Sequence, residues 1–299
     1  MPVFVEEFFL KFIAPIYVVL ILTEVIFSHF SHRKYYTFSD TLTNIGLSSI
    51  NGLIDLSFRG FYLVVFYYCY EYRLFTWQNP FWYWASLLIL QDLCFYFLHY
   101  AEHHIRIFWA VHVTHHSSEH FNLTVGFRSS VFEPLFRFIF FLPLIFLGFH
   151  GKDVILMYSI TQVYGILIHT RYIHKAGLLE YILVTPSHHR VHHASNIQYL
   201  DKNMGMVFIF WDKMFGTFQA EENEEPIMFG LTHRISQKNF LYILFHEWGT
   251  MIANVNKSGL SWKYRFKYLF GQPGWSHDGS TKTSRELQRE KKKNLLPKP

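Results

Sequence analysis

Apolar residues gather in five long blocks along the chain, and polar stretches separate these blocks. Each block approaches the ~20 residues that an α-helix needs to cross the hydrocarbon core of a bilayer. The pattern therefore predicts five membrane-spanning helices, at Phe8–Phe30, Ile45–Tyr70, Phe81–Leu98, Val131–Phe149 and Val154–Tyr172.

The second block gives the weakest of these predictions, because Arg59 lies in its middle. A charge at that depth has to reach the interface, pair with another charge or face a polar cavity. The segment is therefore either a spanning helix with a polar face, or a tilted helix or hairpin that does not cross.

Composition supports a membrane protein, since 51% of the 299 residues are hydrophobic, 20% are aromatic and only 16% are charged. We expect an all-α fold, a polytopic membrane helical bundle. The two cysteines, Cys69 and Cys94, lie in or beside apolar blocks. They offer neither a disulfide framework nor a Cys-x-x-Cys metal or redox site.

Positive charge predicts the orientation of the bundle. If all five blocks cross once, Arg33, Lys34, the segment His99–Arg128 and everything after Arg171 share one face with the basic tail Lys282–Lys293. The positive-inside rule makes that face cytoplasmic. The net charge of +5 favours contact with anionic lipid, and no folded basic module indicates nucleic acid.

The two ends of the chain differ in character. Glu6 and Glu7 precede Lys11 where a signal peptide would have a basic region, so we expect the first helix to remain as an anchor. Near the other end, Asn239–Ala253 reads as a helix, and Ser280–Pro299 reads as a polar tail that is disordered or lies at the interface.

Histidine spacing carries the candidate chemistry. Fourteen of the 19 histidines lie between His99 and His193. Residues three and four apart share one face of a helix, so each cluster can direct its rings at a common point. The clusters are His99 and His103, then His112, His115 and His116, and then His189, His192 and His193.

These clusters and His169 all fall at the same predicted cytoplasmic rim. Nine converging imidazoles exceed the four ligands of a structural zinc site, and they suit two metal ions. Without metal, buried rings would repel one another when protonated and leave N–H groups unsatisfied when neutral. The sequence therefore predicts a histidine-rich di-metal cap on the cytoplasmic side of the bundle.

Other histidines have more ordinary explanations. Isolated rings near an interface are usually anchors or packing residues; these are His29, His32, His150, His233 and His277. Four further rings are either substitute ligands or donors to the ligands; these are His104, His120, His174 and His188.

Ligand type alone leaves the metal open, because imidazole suits zinc, copper, iron and nickel. No Glu-x-x-His pair of a carboxylate di-iron bundle occurs, and His246-Glu247-Trp248 does not continue into a His-Glu-x-x-His zinc site. Bis-histidine haem stays open, although it would leave the triple clusters unexplained.

The three histidine words resemble the boxes of the membrane-bound fatty acid hydroxylase and sterol desaturase superfamily. They read His99-Tyr-Ala-Glu-His103, His112-Val-Thr-His115-His116 and His189-Arg-Val-His192-His193. The flanking words Phe121-Asn122-Leu123, Asp201-Lys202-Asn203 and Trp211-Asp212-Lys213 are most similar to the ether-lipid-cleaving branch. The resemblance covers roughly Phe81 to His233.

This resemblance implies a non-haem di-iron centre that uses dioxygen to hydroxylate or desaturate a lipid. The nine histidines would be the iron ligands. In the ether-lipid branch, hydroxylation beside the ether oxygen releases a fatty aldehyde and a glycerol derivative, and tetrahydrobiopterin would be the reductant. The implied domains are N-terminal membrane helices over 1–80, a fatty acid hydroxylase-type catalytic domain over 81–235 and a helical or interfacial segment with a basic tail over 236–299.

Three polar residues beside the boxes are candidate catalytic residues, namely Glu102, Glu119 and Asn122. The two glutamates adjoin ligating rings and can orient them through N–H bonds, although solvated interfacial glutamates are an equal alternative. Arg128, Asn203 and Asp212 are candidates for similar support or for contact with a lipid headgroup, with structural capping as the competing explanation.

Electrons have to come from a separate donor or a small reductant, because the chain contains no His-Pro-Gly-Gly haem word and its two cysteines cannot hold an iron–sulfur cluster. Within the superfamily, a sterol or fatty acyl hydroxylase or desaturase is the main alternative to ether cleavage. A metal-binding transporter and a lipid-binding protein that has lost catalysis are more remote alternatives.

Overall fold

The computed structural model describes residues 9–233, 235–236 and 239–295. Within these ranges the regular elements are helices, and β pairing is limited to two isolated bridges. This confirms the predicted all-α fold. The α-helices are α1 (Ala14–Phe30), α2 (Phe38–Tyr70), α3 (Pro80–His104), α4 (Arg106–His116), α5 (Phe138–Phe146), α6 (Gly151–Leu167), α7 (Pro186–His192), α8 (Phe210–Phe215), α9 (Phe240–Val255), α10 (Trp262–Phe270) and α11 (Ser284–Leu295).

Three helices in the described part of the chain are long and apolar enough to cross a membrane, namely Lys11–Phe30, α2 and α3. They correspond to the first three predicted spans. The predicted start at Phe8 and the acidic pair Glu6 and Glu7 lie outside the described residues.

The last two apolar blocks do not form helices of that length. Val131–Phe149 breaks into a 3₁₀ turn that carries Pro134 and the nine-residue α5, which holds Pro143. Proline removes a backbone donor and crowds the preceding turn, so it interrupts a long helix. The fifth block forms the 17-residue α6, which ends at Leu167. Five spanning helices were therefore predicted, whereas the described part of the chain has three helices long and apolar enough to span.

Helix α1 buries its polar residues and exposes its apolar ones. Glu24 is buried, and its carboxylate accepts hydrogen bonds from the backbone N–H of Leu123 (3.0 Å) and the hydroxyl of Thr170 (2.6 Å). Val19 and Phe27 are exposed on the other side. Such an inverted distribution suits a helix whose outer face contacts lipid.

Short breaks between helices set the faces that the histidines share. Asn79 caps α3 by accepting from the N–H of Phe81 at 2.9 Å, and Pro80 occupies the first helical position. Only Ile105, in an extended conformation, separates α3 from α4. The chain therefore reverses sharply at the rim, and the first two histidine clusters pack against each other.

The main apolar core lies between α2, α3, α5 and α6 and includes Leu87, Leu98, Leu144 and Phe149. The loop before α6 depends on Gly148, whose φ is +89°. A Cβ at that position would lie 2.2 Å from the carbonyl oxygen of Phe75. Only glycine allows this loop to close against the core.

The C-terminal region is more ordered than the sequence predicted. Helix α9 confirms the helix expected at Asn239–Ala253, but α11 occupies much of the segment that was expected to be a disordered or interfacial tail. Gln288 donates to the carbonyl oxygen of Leu200 at 2.9 Å, so α11 packs against the protein itself. Residues 296–299 lie outside the described part.

Candidate metal centre

Three helix segments deliver the three histidine clusters to one place. The first cluster ends α3, the second ends α4, and the third lies on α7 and its C-cap. His169 joins them from the turn just after α6. The predicted helical spacing therefore holds for every cluster, and the nine predicted ligand residues meet.

The nine rings divide into two groups in which one nitrogen of each ring lies within 4.8 Å of the others. We call them the five-histidine group and the four-histidine group. The first contains His99, His103, His112, His116 and His192, and the second contains His115, His169, His189 and His193.

Nitrogen spacing within each group fits a metal ion. In the five-histidine group, the Nε2 atom of His112 lies 3.1 Å from Nε2 of His99 and 3.2 Å from Nε2 of His116. In the four-histidine group, Nε2 of His169 lies 2.9 Å from that of His189 and 3.2 Å from that of His193. With metal–nitrogen bonds of about 2.1 Å, two nitrogens at right angles around one ion are about 3.0 Å apart.

The two groups are immediate neighbours. The rings of His116 and His193 stack with their centroids 4.5 Å apart, and the centroids of His112 and His115 are 5.3 Å apart. Adjacent residues of one cluster, such as His115 and His116, thus belong to different groups. Two ions held here would lie side by side.

Hydrogen bonds to Nδ1 fix most of these rings with Nε2 pointing inward. Such bonds select one neutral tautomer and orient the ring for a metal. The acceptors are the carbonyl oxygens of Met204 for His99 (2.8 Å), Arg128 for His115 (2.9 Å), Gly165 for His169 (2.7 Å) and Lys202 for His192 (2.9 Å), and the carboxylate of Asp201 for His103 (3.3 Å). The carboxylate of Glu102 lies 3.2 Å from Nδ1 of His112.

Burial keeps the rings that lie outside the membrane-spanning helices neutral. Burial lowers the pKa of His115 to about 4. For the others, burial first and then neighbouring imidazoles hold the pKa well below its usual value; these are His112, His116, His169, His189, His192 and His193. Neutral rings offer the lone pairs that a metal needs. The Nε2 atoms of His103 and His192 are buried with no partner among the described residues, as expected of metal ligands.

A turn at residues 201–203 supplies two of the Nδ1 acceptors. Asp201 and Asn203 adopt φ values of +56° and +55°, a conformation that aspartate and asparagine tolerate better than most residues. The side chain of Asp201 and the carbonyl of Lys202 thereby face the five-histidine group. The sequence analysis did not predict a role for Asp201. The available signal was the Asp201-Lys202-Asn203 word, because aspartate and asparagine favour such turns.

Asp212 supports the five-histidine group from one layer further out. Its carboxylate accepts from the backbone N–H groups of Met204 (2.7 Å) and Gly205 (2.9 Å) and from the hydroxyl of Thr217 (2.6 Å). The carbonyl of Met204 is the acceptor for His99. Asp212 is therefore buried and holds the loop whose Met204 carbonyl accepts from His99.

The other predicted site residues occupy different positions. Glu102 is buried, and its carboxylate lies 3.2 Å from Nδ1 of His112. Glu119 is exposed and lies beside Gly230. Asn122 is buried in a turn, where it donates to the carbonyl of Tyr35 and accepts from Thr124. The structure brings only Glu102 to the rings.

Residues 84–217 match the sequence profile of the fatty acid hydroxylase family, and this range contains all three clusters. This part of the chain is a fatty acid hydroxylase domain. This confirms the resemblance predicted from the three histidine words.

Several curated members of this superfamily are similar to the chain. Human alkylglycerol monooxygenase is 37% identical over 276 residues, which cover 89% of this chain and 60% of the relative. The enzyme of the same name from Xenopus tropicalis is 33% identical over 264 residues, covering 86% and 57%. Human lathosterol oxidase is 26% identical over 144 residues, covering 47% and 46%. No solved structure is significantly similar.

The chain thus spans about 60% of the length of the alkylglycerol monooxygenases that it matches. The matched part includes both histidine groups, so the metal centre lies within the region shared with the superfamily.

Within this hydroxylase domain, the four histidines predicted as substitute ligands or donors stay outside both groups. His188 accepts the backbone N–H of Thr185 through Nδ1 at 3.3 Å and so caps α7. His104 stacks on Tyr100 with a centroid distance of 3.8 Å. His120 lies beside Thr37, and His174 is exposed.

A cavity of about 370 Å³ opens onto the five-histidine group of the hydroxylase domain. His103, His116 and His192 line it together with Trp109, and α9 and the segment 273–287 form its outer wall. The four-histidine group does not contribute to its lining. Access to the centre is therefore asymmetric.

Proposed function

We propose that this chain is a membrane-bound lipid monooxygenase in which the two histidine groups hold two iron ions. The observation that carries the proposal is the pairing of a five-histidine and a four-histidine group, 4.5 Å apart between neighbouring ring centroids, inside a fatty acid hydroxylase domain. When bound, iron would supply the activation of dioxygen and the oxidation of a C–H bond.

The residues of the chain would hold, orient and shield these ions. The Nδ1 acceptors keep the rings in one tautomer, and Glu102 and Asp201 add negative charge behind two of them. Phe121, which is 1% exposed, stacks on His169 at 5.4 Å between ring centroids and excludes water from the four-histidine group.

The cavity beside the five-histidine group is the proposed reaction chamber. Trp109 and Val113 give it an apolar wall near the rings, whereas Glu247 and Thr250 lie on its polar side. A lipid could therefore place an alkyl carbon at the rings and a polar headgroup outward.

An alkylglycerol ether is the substrate that we propose first, because the alkylglycerol monooxygenases share most of this chain. Oxygen insertion at the alkyl carbon next to the ether oxygen gives a hemiacetal, which collapses to a fatty aldehyde and a glycerol derivative. The second oxygen atom leaves as water, with two electrons and two protons supplied by a separate reductant. We propose a reduced pterin for that role.

A sterol or fatty acyl hydroxylase is the second candidate. The similarity to human lathosterol oxidase supports it over about half of the chain. A metal transporter has less support, because the nine rings form one compact pair of groups and are not spread along a path.

We further propose that the histidine groups face the cytoplasm. Three crossings, like five, place Arg33, both groups and the basic helix α11 on one side of the membrane. The positive-inside rule then favours the cytoplasmic side. A protease site appended after residue 299 would be cut in inverted vesicles and protected in right-side-out ones; the reverse pattern would contradict the orientation.

The activity is tested with purified, iron-loaded protein. Supplying an alkylglycerol and a reduced pterin should yield fatty aldehyde, measured by mass spectrometry. With labelled dioxygen, each aldehyde formed should correspond to one incorporated oxygen atom. His192→Ala should abolish the product. Hydroxylated sterol or acyl lipid formed without aldehyde would favour the second candidate, and a fully active His192→Ala variant would refute the site.

A further inference from the structure

A second cavity, of about 460 Å³, lies among α1, α2, α5 and α6. Within the described residues its lining contains none of the nine histidines. It is therefore separate from the chamber beside the five-histidine group, and the proposed oxidation does not use it.

One face of α2 lines this second cavity with polar residues. Ser48, Asn51, Asp55, Arg59 and Tyr62 recur at intervals of three and four residues, which places them on one side of the helix. Helix α2 is long and apolar enough to cross a membrane. Polar side chains inside such a helix usually face a polar cavity or ligand path.

Charges of both signs are paired around the second cavity. Asp55 accepts from Arg59 at 2.8 Å and also pairs with Arg137. Arg137 lies 3.7 Å from Glu133, which accepts from the hydroxyl of Tyr158 at 3.5 Å. Two guanidinium groups and two carboxylates give a formal charge of zero, so the cavity attracts neither an anion nor a cation strongly.

Hydroxyl groups fit such a surface best, because one hydroxyl can donate to a carboxylate and accept from a guanidinium or amide. The Nε2 atom of Gln162 lines the cavity and is buried with no partner in the described residues, so it is a donor left for a ligand oxygen. An unsatisfied buried amide is costly in the absence of such a partner.

Apolar side chains form the rest of the wall, including Phe66, Phe141, Val154 and Ile155. A ligand that fills the cavity therefore has a hydroxylated end and a hydrocarbon end. It can enter from the bilayer, because Lys11–Phe30 and α2, which border the cavity, are long and apolar enough to cross a membrane.

We propose that the second cavity binds a single-chain lipid with an uncharged, hydroxyl-bearing headgroup, of the monoalkylglycerol or monoacylglycerol type. The glycerol end lies against the paired charges and Gln162, and the chain lies along the aromatic wall. This site goes beyond the proposed oxidation, since no bond of this lipid is broken there.

A glycine pair on α2 provides the test. Gly52 lines the cavity and has open space around an added Cβ, whereas Gly60 has equally open space but does not line it. Gly52→Phe fills the cavity without removing any charge. Gly60→Phe is the matched control, and both variants replace a helix-interior glycine by a better helix former.

The probe is a 1-O-alkylglycerol that carries a diazirine on its chain, applied to the full, iron-loaded chain in lipid nanodiscs without any reductant, so that no turnover occurs. We expect labelling of α2 or α6, competition by unlabelled monoalkylglycerol and monoacylglycerol, and a loss of about tenfold or more in Gly52→Phe but not in Gly60→Phe. Thermal unfolding of each variant checks its fold.

Equal labelling in Gly52→Phe and Gly60→Phe would overturn the proposal. So would equal labelling of this cavity by a diazirine fatty acid or a diazirine lysophosphatidylcholine, since a charged headgroup would then suffice. Because the labelling needs neither reductant nor turnover, its failure is distinguishable from failure of the monooxygenase proposal.

Discussion

The five-histidine and four-histidine groups share α4 and the α7 segment but have different surroundings. Asp201 accepts a hydrogen bond from His103, and the carboxylate of Glu102 lies 3.2 Å from Nδ1 of His112 in the first group. The ring acceptors of the second group are the backbone carbonyls of Arg128 and Gly165. Among the described residues, carboxylates therefore contact rings of the five-histidine group and not rings of the four-histidine group.

The two groups also differ in their access to a cavity. The five-histidine group lines a cavity, whereas Phe121 and Phe229, stacked at 4.9 Å between ring centroids, close the other group. A carboxylate behind a ring makes that ring a stronger donor. We infer that an ion in the five-histidine group meets oxygen and substrate, while an ion in the four-histidine group is held in a closed, structural environment.

The largest expected effect comes from removing one ligand of each group in adjacent positions, with His192→Ala and His193→Ala. Both variants should lose more than about 100-fold in activity, beyond the usual effect of changing a residue behind a ligand. Their iron content should differ. His193→Ala leaves three rings and should lose about one iron per chain, whereas His192→Ala leaves four rings, enough for a complete site.

Elemental analysis of the purified variants measures this difference, with the wild-type chain prepared in parallel. Equal iron content in the two variants would show that the fifth histidine gives the five-histidine group no advantage in holding iron. The two groups would then differ only in their access to the cavity.

Phe121→Ala tests the closed wall. Phe121 is 1% exposed, and truncating a buried phenylalanine costs about 3–5 kcal/mol of unfolding free energy. The variant should also release iron from the four-histidine group faster to a chelator, because water reaches the rings. Leu178→Ala, at an exposed apolar side chain, is the control. Unchanged release kinetics would remove Phe121 as the barrier.

The sequence predicted the nine ring positions because helical spacing fixes which residues share a face. It did not predict the division into two groups. His115 and His116 differ by one residue, or about 100° around the helix, which sends their rings to different groups. Such a division depends on how α4 is rotated against α3 and α7, and that rotation is set by tertiary packing.

The ring acceptors were also hard to predict, because most are backbone carbonyls and any residue type carries one. Only Glu102 adjoined a box closely enough to be proposed. The hydropathy pattern wrongly predicted one long helix at 131–149, because a hydropathy average does not register Pro134 and Pro143, which interrupt the helix.

The helical tail had a local signal that composition concealed. Thr283 and Glu286 form a capping box: the N–H of Thr283 donates to Glu286 at 2.8 Å, and the N–H of Glu286 donates to Thr283 at 3.3 Å. The Thr-x-x-Glu spacing is readable in the sequence and predicts a helix start. High polarity alone indicated disorder.

Asp201→Asn sharpens the charge difference between the groups with a smaller expected effect. The amide keeps the shape but loses the negative charge behind His103. Iron affinity of the five-histidine group should fall about 10-fold to 100-fold, measured by retention against a graded chelator series. Asp278→Asn, at an exposed carboxylate, should leave retention unchanged. Retention at the wild-type level in Asp201→Asn would contradict a role for this charge.

The smallest effect is expected for His188→Gln, which separates a capping histidine from a ligand histidine one position away. His188 accepts the N–H of Thr185 as part of a capping box, and glutamine serves the same position in many helices. Stability should change by less than about 1 kcal/mol, with iron content and activity retained. His189→Gln changes the neighbouring ring by the same substitution and should lose iron from the four-histidine group. Loss of iron in His188→Gln as well would contradict this separation. It would mean that the His188 ring has to cap α7 in order to orient His189, His192 and His193 for metal binding.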